Sequence, residues 1–222
     1  MTEPDALPRA WFARIDPSPD ALFYAAPRLV NHIDDATIAA LTDYYREALP
    51  PGGAILDLMS SWVSHLPADV SFDRVAGLGM NADELAANPR LSDSCVHDLN
   101  LCPELPYPPQ SFDGVLNAVS VQYLVHPVEV FAEVRRVLRP GGISIVAMSH
   151  RCFPTKAVRA FHVLPRDARF ELVARYHELA GGFDAPARLD RSPQVARSEP
   201  KASEDHRGGA DPLWIVVARR LD

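Results

Sequence analysis

Asp57 lies in the apolar run Ala54-Ile55-Leu56-Asp57-Leu58, where a buried strand has no structural use for a charge. Met59-Ser60-Ser61-Trp62-Val63-Ser64-His65 follows it at once. A carboxylate and a hydroxyl-rich loop at such a point can hold the polar end of a ligand, and the plainer reading of Asp57 is a helix cap. Asp98-Leu99 offers a second acceptor beside an apolar contact, unless Asp98 only closes a turn. Asn117, Val119 and Ser120 stand where the chain leaves an expected strand, with Tyr123 and His126, both catalytic candidates, just after them. His126 and His177 are the candidate general bases, because imidazole titrates near neutral pH; an exposed histidine at a helix start is the alternative for His126. Arg151, in His150-Arg151-Cys152, can bind an anion or be an ordinary surface arginine. Phe23-Tyr24-Ala25-Ala26-Pro27-Arg28-Leu29-Val30-Asn31-His32 is aromatic and basic. It suits either a packing segment or a cover that brings Tyr24 or Arg28 to an anionic group.

Positioning these groups requires a sheet. Ala54–Leu58 reads as a strand buried on both faces, and strands are expected near 72–78, 92–97, 112–119, 143–148 and 213–218, the last having the highest β-branched density. An acidic cap at Asp34-Asp35 opens a helix with Ile38, Leu41, Tyr45 and Leu49 on one face, stopped by Pro50-Pro51-Gly52-Gly53. Further helices are expected near Asn81, from Pro127 with Val130, Val134, Val137 and Leu138 inward, and from Pro165 to Gly181, where the helix is placed as a roof over the site. Pro193 to Pro212 lacks periodicity and reads as a loop. Strands alternating with helices give a doubly wound α/β sheet whose ligand lies outside the strands' carboxyl ends.

The 222 residues suit one domain with a full core, divided here into an N-terminal helical lid segment, 1–50, and the main domain, 51–222. A net charge of -7 opposes nucleic-acid binding, which needs a phosphate-neutralising surface. The acidic start lacks a signal-peptide pattern and no run is long enough to span a membrane, so a cytoplasmic protein without a membrane partner is expected. Cys95, Cys102 and Cys152 have no metal-ligand spacing and are read as small buried thiols, with Cys152 held open as an exception; no metal is expected.

Ile55-Leu56-Asp57-Leu58, Asp98-Leu99, Ser111-Phe112-Asp113 and Leu138-Arg139-Pro140-Gly141-Gly142 occur in an order and spacing that resemble the class I S-adenosylmethionine (SAM) dependent methyltransferases, in particular the small type-11-like group, over residues 52–150. The resemblance implies a Rossmann-like seven-stranded sheet, mostly parallel with an antiparallel last strand, and SAM as cofactor. It implies that Asp57 orders the loop or the SAM amino group, that Asp98 accepts the adenine amine with Leu99 beside the ring, that Met80 packs on the other ring face, and that Asn117 and its neighbours touch cofactor and acceptor.

Two features depart from the family pattern. The loop after the first strand contains no glycine, and Gly79 stands where the family carries a ribose-binding acid. The stretch Ser60-Ser61-Trp62-Val63-Ser64-His65-Leu66-Pro67 resembles a variant bacterial and plant branch of the family. In that setting Asn81 or Asp83 is expected to reach the ribose, Ser60 and Ser61 to serve the methionine end, and Tyr24 or Arg28 to hold its carboxylate. The resulting expectation is in-line methyl transfer to a small-molecule acceptor. A fold-sharing protein that binds SAM or a derivative as a sensor is the alternative, and a nicotinamide-dependent oxidoreductase lacks its Gly-x-Gly-x-x-Gly turn here.

Overall fold

The computed structural model describes residues 7–193 and 210–222. Its centre is a seven-stranded sheet of β1 (Ala54–Leu58), β2 (Arg74–Gly79), β3 (Asp93–Val96), β4 (Phe112–Ala118), β5 (Leu138–Met148), β6 (Ala187–Asp190) and β7 (Trp214–Arg219), in the order β3-β2-β1-β4-β5-β7-β6. The pairings among β1 to β5 are parallel, and β7 runs antiparallel to both β5 and β6.

Alternation along the central strands explains why they are apolar throughout. Ala54, Leu56 and Leu58 of β1 face one core with Val146, Met148, Trp214 and Val216. Ile55 faces a second core with Leu116, Ile145 and Ile215. The first core is covered by α4 (Pro127–Val137) and α6 (Arg166–Ala180), the second by α2 (Asp35–Ala48), which contributes Leu41, Tyr44 and Tyr45. Asp34 caps α2 by accepting the Thr37 amide at 2.8 Å. Two short helices, α1 (Asp20–Phe23) and α3 (Ala82–Ala87), lie near the carboxyl ends of the strands, and α5 (Arg159–Val163) precedes α6.

Several expectations need correction. Among the described residues no helix joins β1 to β2 or β3 to β4, so 59–73 and 97–111 cross as irregular chain. The Pro165–Gly181 helix does not roof the site: α6 packs on α4 and β7, and ends at Gly181 with φ 69°. β6 escaped notice because its Ala-Arg-Leu-Asp sequence is a largely exposed edge guarded by charge, with Arg188 on Glu171 at 2.7 Å and Arg166 on Asp190 at 3.1 Å. The cysteines are not buried: Cys95 is half-buried on the edge strand β3, while Cys102 and Cys152 are exposed. Most of the Pro193–Pro212 stretch, residues 194–209, lies outside the described residues.

Candidate active site

The carboxyl ends of β1 to β4 open into one cavity of about 350 Å³, a volume in the range of small-molecule sites. Among the described residues, four non-glycine residues adopt positive φ: Met59 (60°), His65 (54°), Val119 (50°) and Gln110 (55°). The first three line the cavity. Such backbone is costly, most of all for a β-branched valine, and in folded proteins it concentrates at functional sites.

Side chains fix the glycine-free loop in place of backbone freedom. Ser60 and Ser64 each donate a hydroxyl to Asp57 Oδ2 at 2.6 Å, and Asn88 Nδ2 donates to the Ser61 carbonyl and to Ser64 Oγ, both at 2.9 Å. Ser61 Oγ donates to Glu84 Oε2 at 2.6 Å, and Trp62 Nε1 to the Val30 carbonyl at 3.0 Å. The two serine hydroxyls therefore point at carboxylates, and not at a ligand as the sequence suggested. Burial pushes the Asp57 carboxyl up to about 6, against the pull of its two hydroxyl donors.

The same loop explains Gly79. A Cβ there would meet the Ser60 carbonyl oxygen at 2.2 Å, and the Ser60 amide is itself held by the Leu78 carbonyl at 2.8 Å. The backbone of the loop occupies the space into which an acidic side chain at 79 would grow. Asn81 cannot take over the role of that acid: its Oδ1 accepts the Asp83 and Glu84 amides, and its Nδ2 donates to the Tyr24 and Ala25 carbonyls. Asp83 is exposed and not in the cavity wall.

The chain from Ala13 to Asp34 forms a strap over the opening. Its start pairs with the segment before α5, where the Asp16 amide donates to Thr155 and the Arg159 amide to Ala13, each at 2.8 Å. Lys156, with no exposure at all, anchors it through Asp16 at 3.0 Å, Asp20 at 3.2 Å and the Ser18 carbonyl at 2.7 Å. Asp20 also takes Arg14 at 2.6 Å and Asn100 at 2.8 Å. Further along, the Arg28 amide donates to Glu84 Oε1 at 2.7 Å, so one buried carboxylate ties the strap to the loop. The Arg28 guanidinium lies 4.4 Å from the Phe23 ring centre, donates to the Phe23 carbonyl at 2.8 Å, and has no carboxylate partner among the described residues.

Over β4 and β5 the wall is aromatic. Phe153 stacks on Tyr123 at 5.8 Å and meets His32 edge-on at 5.3 Å, and its amide donates to Tyr123 Oη at 2.8 Å. Burial pushes the Tyr123 hydroxyl up to about 12. Arg151 reaches the cavity edge already paired to the buried Asp211 at 2.8 Å.

Of the residues singled out from sequence, Tyr24, Arg28, Asp57, Met59, Ser60, Ser61, Gly79, Met80, Asn81, Asp98, Leu99 and Tyr123 line this cavity. Besides Asp83, three candidates do not. His126 is the exposed N-cap residue of α4. His177 is fully buried in α6 between Phe131 and Phe183, with Nδ1 on the Val173 carbonyl and Nε2 on Ser144 Oγ. Asn117 turns to Met59 Sδ and accepts from Ser120 Oγ. Sequence reasoning missed Glu84, Asp20, His32 and His65 as wall residues. Asn81 at a helix start with Glu84 three residues on is a capping signal that could have marked Glu84.

Residues 70–146 match the model of the methyltransferase domain family. Over that stretch, which carries β2 to β5, the chain is similar to class I methyltransferases. It is 30% identical over 145 residues to the 27-O-demethylrifamycin SV methyltransferase of Amycolatopsis mediterranei, covering 64% of this chain and 49% of that protein. The chain thus spans about half the length, or less, of the curated relatives it matches. Among solved structures, the fold is shared with the [4+2]-cyclase SpnF, at a TM-score of 0.61 and 19% identity over 91% of both chains. It is also shared with a SAM-dependent methyltransferase from Mesorhizobium loti, at 0.53 and 19% over 82% of this chain and 98% of that one. Among the described residues no helix is long and apolar enough to cross a membrane, and no cluster of metal-ligating side chains occurs.

Proposed function

We propose that the chain is a SAM-dependent methyltransferase acting on a small-molecule acceptor. The observation that carries this reading is the gathering of Asp57, Gly79, Met80, Asp98 and Leu99, from the ends of three adjacent strands, in the wall of one cavity. The donor set fits SAM. Asp57 supplies a buried carboxylate for the ammonium. Asp98 keeps acceptor capacity for the adenine amine while its Oδ1 takes the Asn100 amide at 2.9 Å, and Leu99 and Met80 are apolar contacts for the ring. Arg28 is the unpaired cation for the carboxylate. The Ser60 carbonyl, standing where the family's acid would be, is the acceptor for a ribose hydroxyl.

The bound cofactor supplies a methyl group on an excellent leaving group, so the protein's part is to hold both reactants in line and exclude water. The strap, fixed through Lys156 and Glu84, performs the exclusion, and the aromatic wall over β4 and β5 receives the acceptor. A small molecule suits an enclosed cavity and a net charge of -7, and the relative named for a rifamycin substrate supports the same class. The division into a lid segment and a main domain is carried forward in refined form: residues 13–34 cover the site, and α2 is part of the core.

The second reading is a sensor that binds SAM or a derivative without methyl transfer; the same fold in a protein named as a [4+2]-cyclase is in keeping with uses of this fold other than methyl transfer. Isothermal titration with SAM and S-adenosylhomocysteine (SAH) tests the first. Micromolar binding of both is expected, and a folded protein giving no heat with either refutes it. Binding without turnover of SAM across an acceptor panel selects the second reading.

A further inference from the structure

The imidazoles of the cavity are not equivalent. His97 has its Nε2 on the Cys102 carbonyl at 2.8 Å, whereas neither His32 nor His65 has a hydrogen bond to a ring nitrogen among the described residues. His65 is also one of the three left-handed residues of the wall, its backbone fixed there by Thr42 Oγ1, which donates to the His65 carbonyl at 2.9 Å. An unpaired imidazole held in costly backbone and facing a cavity is an arrangement that packing alone does not require. His32 stands beside it, against the wall formed by Phe153 and Tyr123. The charged groups acting on His32 are Arg28 from the strap and Glu84 from α3, in opposite senses.

We propose that His65, with His32 beside it, is the proton acceptor of the reaction, and that the acceptor molecule is a small aromatic compound bearing a hydroxyl still protonated at neutral pH. This rests on the methyltransferase reading above. In the step, the O–H bond of the acceptor breaks, its proton passes to a free ring nitrogen of His65, and the oxygen lone pair forms the new bond to the methyl carbon as the sulfur–methyl bond breaks, its electron pair staying on the departing sulfur. The imidazolium afterwards releases the proton to solvent. Net charge in the cavity is unchanged, since the positive charge gained by the imidazole is the one given up with the methyl group, so no additional charge has to be desolvated. Burial holds the His65 ring near 4, so it is neutral before the reaction and, as a weak base, takes the proton only as the positive charge on sulfur is lost. The stacked Phe153–Tyr123 pair gives the ring of the acceptor a flat wall.

The test uses the full chain loaded with SAH, with phenol as probe and anisole as its protonless analogue. Phenol is expected to bind about three- to tenfold more tightly than anisole and to shift the His65 ring signal in the NMR spectrum, as one hydrogen bond to an unpaired acceptor should do. His65→Leu should erase that preference while leaving SAH affinity within about threefold. Methyl transfer to phenol should fall about 10²- to 10⁴-fold in the variant, the usual contribution of a general base, with transfer to the already ionised thiophenol changed less than threefold. Equal binding of phenol and anisole by the unaltered protein overturns the proposal, and needs no variant to fold. Equal losses toward phenol and thiophenol overturn it too. Failure of SAH to bind would instead sink the methyltransferase reading and the reaction step with it, while the phenol–anisole comparison on the unloaded chain would still show whether His65 accepts a hydrogen bond from a hydroxyl.

Discussion

Replacing Gly79 by Asp restores the family's ribose acid by sequence, and the two accounts of this site give opposite signs for the result. If the position merely lacks an acceptor, the new carboxylate should gain one charge-assisted hydrogen bond, about 1.5–3 kcal/mol, and tighten SAH binding roughly tenfold to a hundredfold. The geometry argues the reverse. The new Cβ would lie 2.2 Å from the Ser60 carbonyl oxygen and 3.2 Å from Leu85 Cδ2, so the Ser60 backbone must retreat by more than an ångström. That retreat strains two bonds: the Ser60 amide to the Leu78 carbonyl at 2.8 Å and Ser60 Oγ to Asp57 at 2.6 Å. One neutral and one charged hydrogen bond amount to about 2–4 kcal/mol together, and the Ser60 carbonyl is displaced from its place in the wall. Titration calorimetry with SAH should therefore show affinity lower by tenfold or more, and urea unfolding a loss of about 2–4 kcal/mol. Gly79→Ala should reproduce most of both effects, because the obstruction begins at Cβ. A Gly79→Asp protein of unchanged stability that binds SAH more tightly would refute this account of the loop.

Asp57→Asn should raise stability at pH 7 by about 2–3 kcal/mol, because the unfolded aspartate ionises near 3.9 and the folded one only near 6. The cost of the buried charge builds as pH rises from about 4 to about 6, so urea unfolding at several pH values should show that slope in the parent and not in the variant, which loses SAH affinity in exchange. Lys156→Met leaves Asp16 and Asp20 without their buried cation and should cost about 3–5 kcal/mol in urea unfolding, tempered by the Arg14 and Asn100 bonds to Asp20. His177→Ala should destabilise by about 3–4 kcal/mol through its cavity and the unpaired Ser144 hydroxyl, with SAH affinity unchanged. Burial holds His177 near 4, well below its unfolded value near 6.5, so its contribution is lost as pH falls across that window, and acid unfolding of the variant should be shallower there.

The central sheet was legible because its strands bury both faces: Ala54-Ile55-Leu56 and Trp214-Ile215-Val216-Val217 admit no other environment. β6 was not, since an exposed edge of Ala-Arg-Leu-Asp carries no such signal. The strand-end residues of the site followed from topology, because Asp57, Gly79 and Asp98 must lie at one edge of a parallel sheet. The partners of the loop did not follow. That Ser61 and Arg28 both meet Glu84 depends on how the strap crosses α3, over a separation of 56 residues between Arg28 and Glu84. His177 misled for a related reason: Arg-Tyr-His-Glu looks like a polar surface, and only the packing of α6 on α4 reveals that its histidine faces Phe131.

The absence of a helix between β1 and β2 has a consequence for anion binding. A helix starting at the end of β1 would present free N–H groups and the positive end of a dipole to a carboxylate. Residues 59–73 form no helix and so present no helix dipole, and the serine side chains of their loop are bonded to Asp57 and Glu84. The compensating positive charge must come from elsewhere in the wall. Arg151 is neutralised by Asp211, which leaves Arg28, oriented by Phe23 and by its own amide on Glu84. On the proposed reading the strap is then part of the cofactor site as well as its cover, and Arg28→Leu separates the two roles. Loss of one charge-assisted pair should weaken SAH binding by about 1.5–3 kcal/mol, roughly tenfold to a hundredfold, while adenosine, which has no carboxylate, should bind within about threefold of its affinity for the parent. Equal losses for both ligands in calorimetry would mean that Arg28 only holds the strap closed, and the search for the missing positive charge would have to begin again.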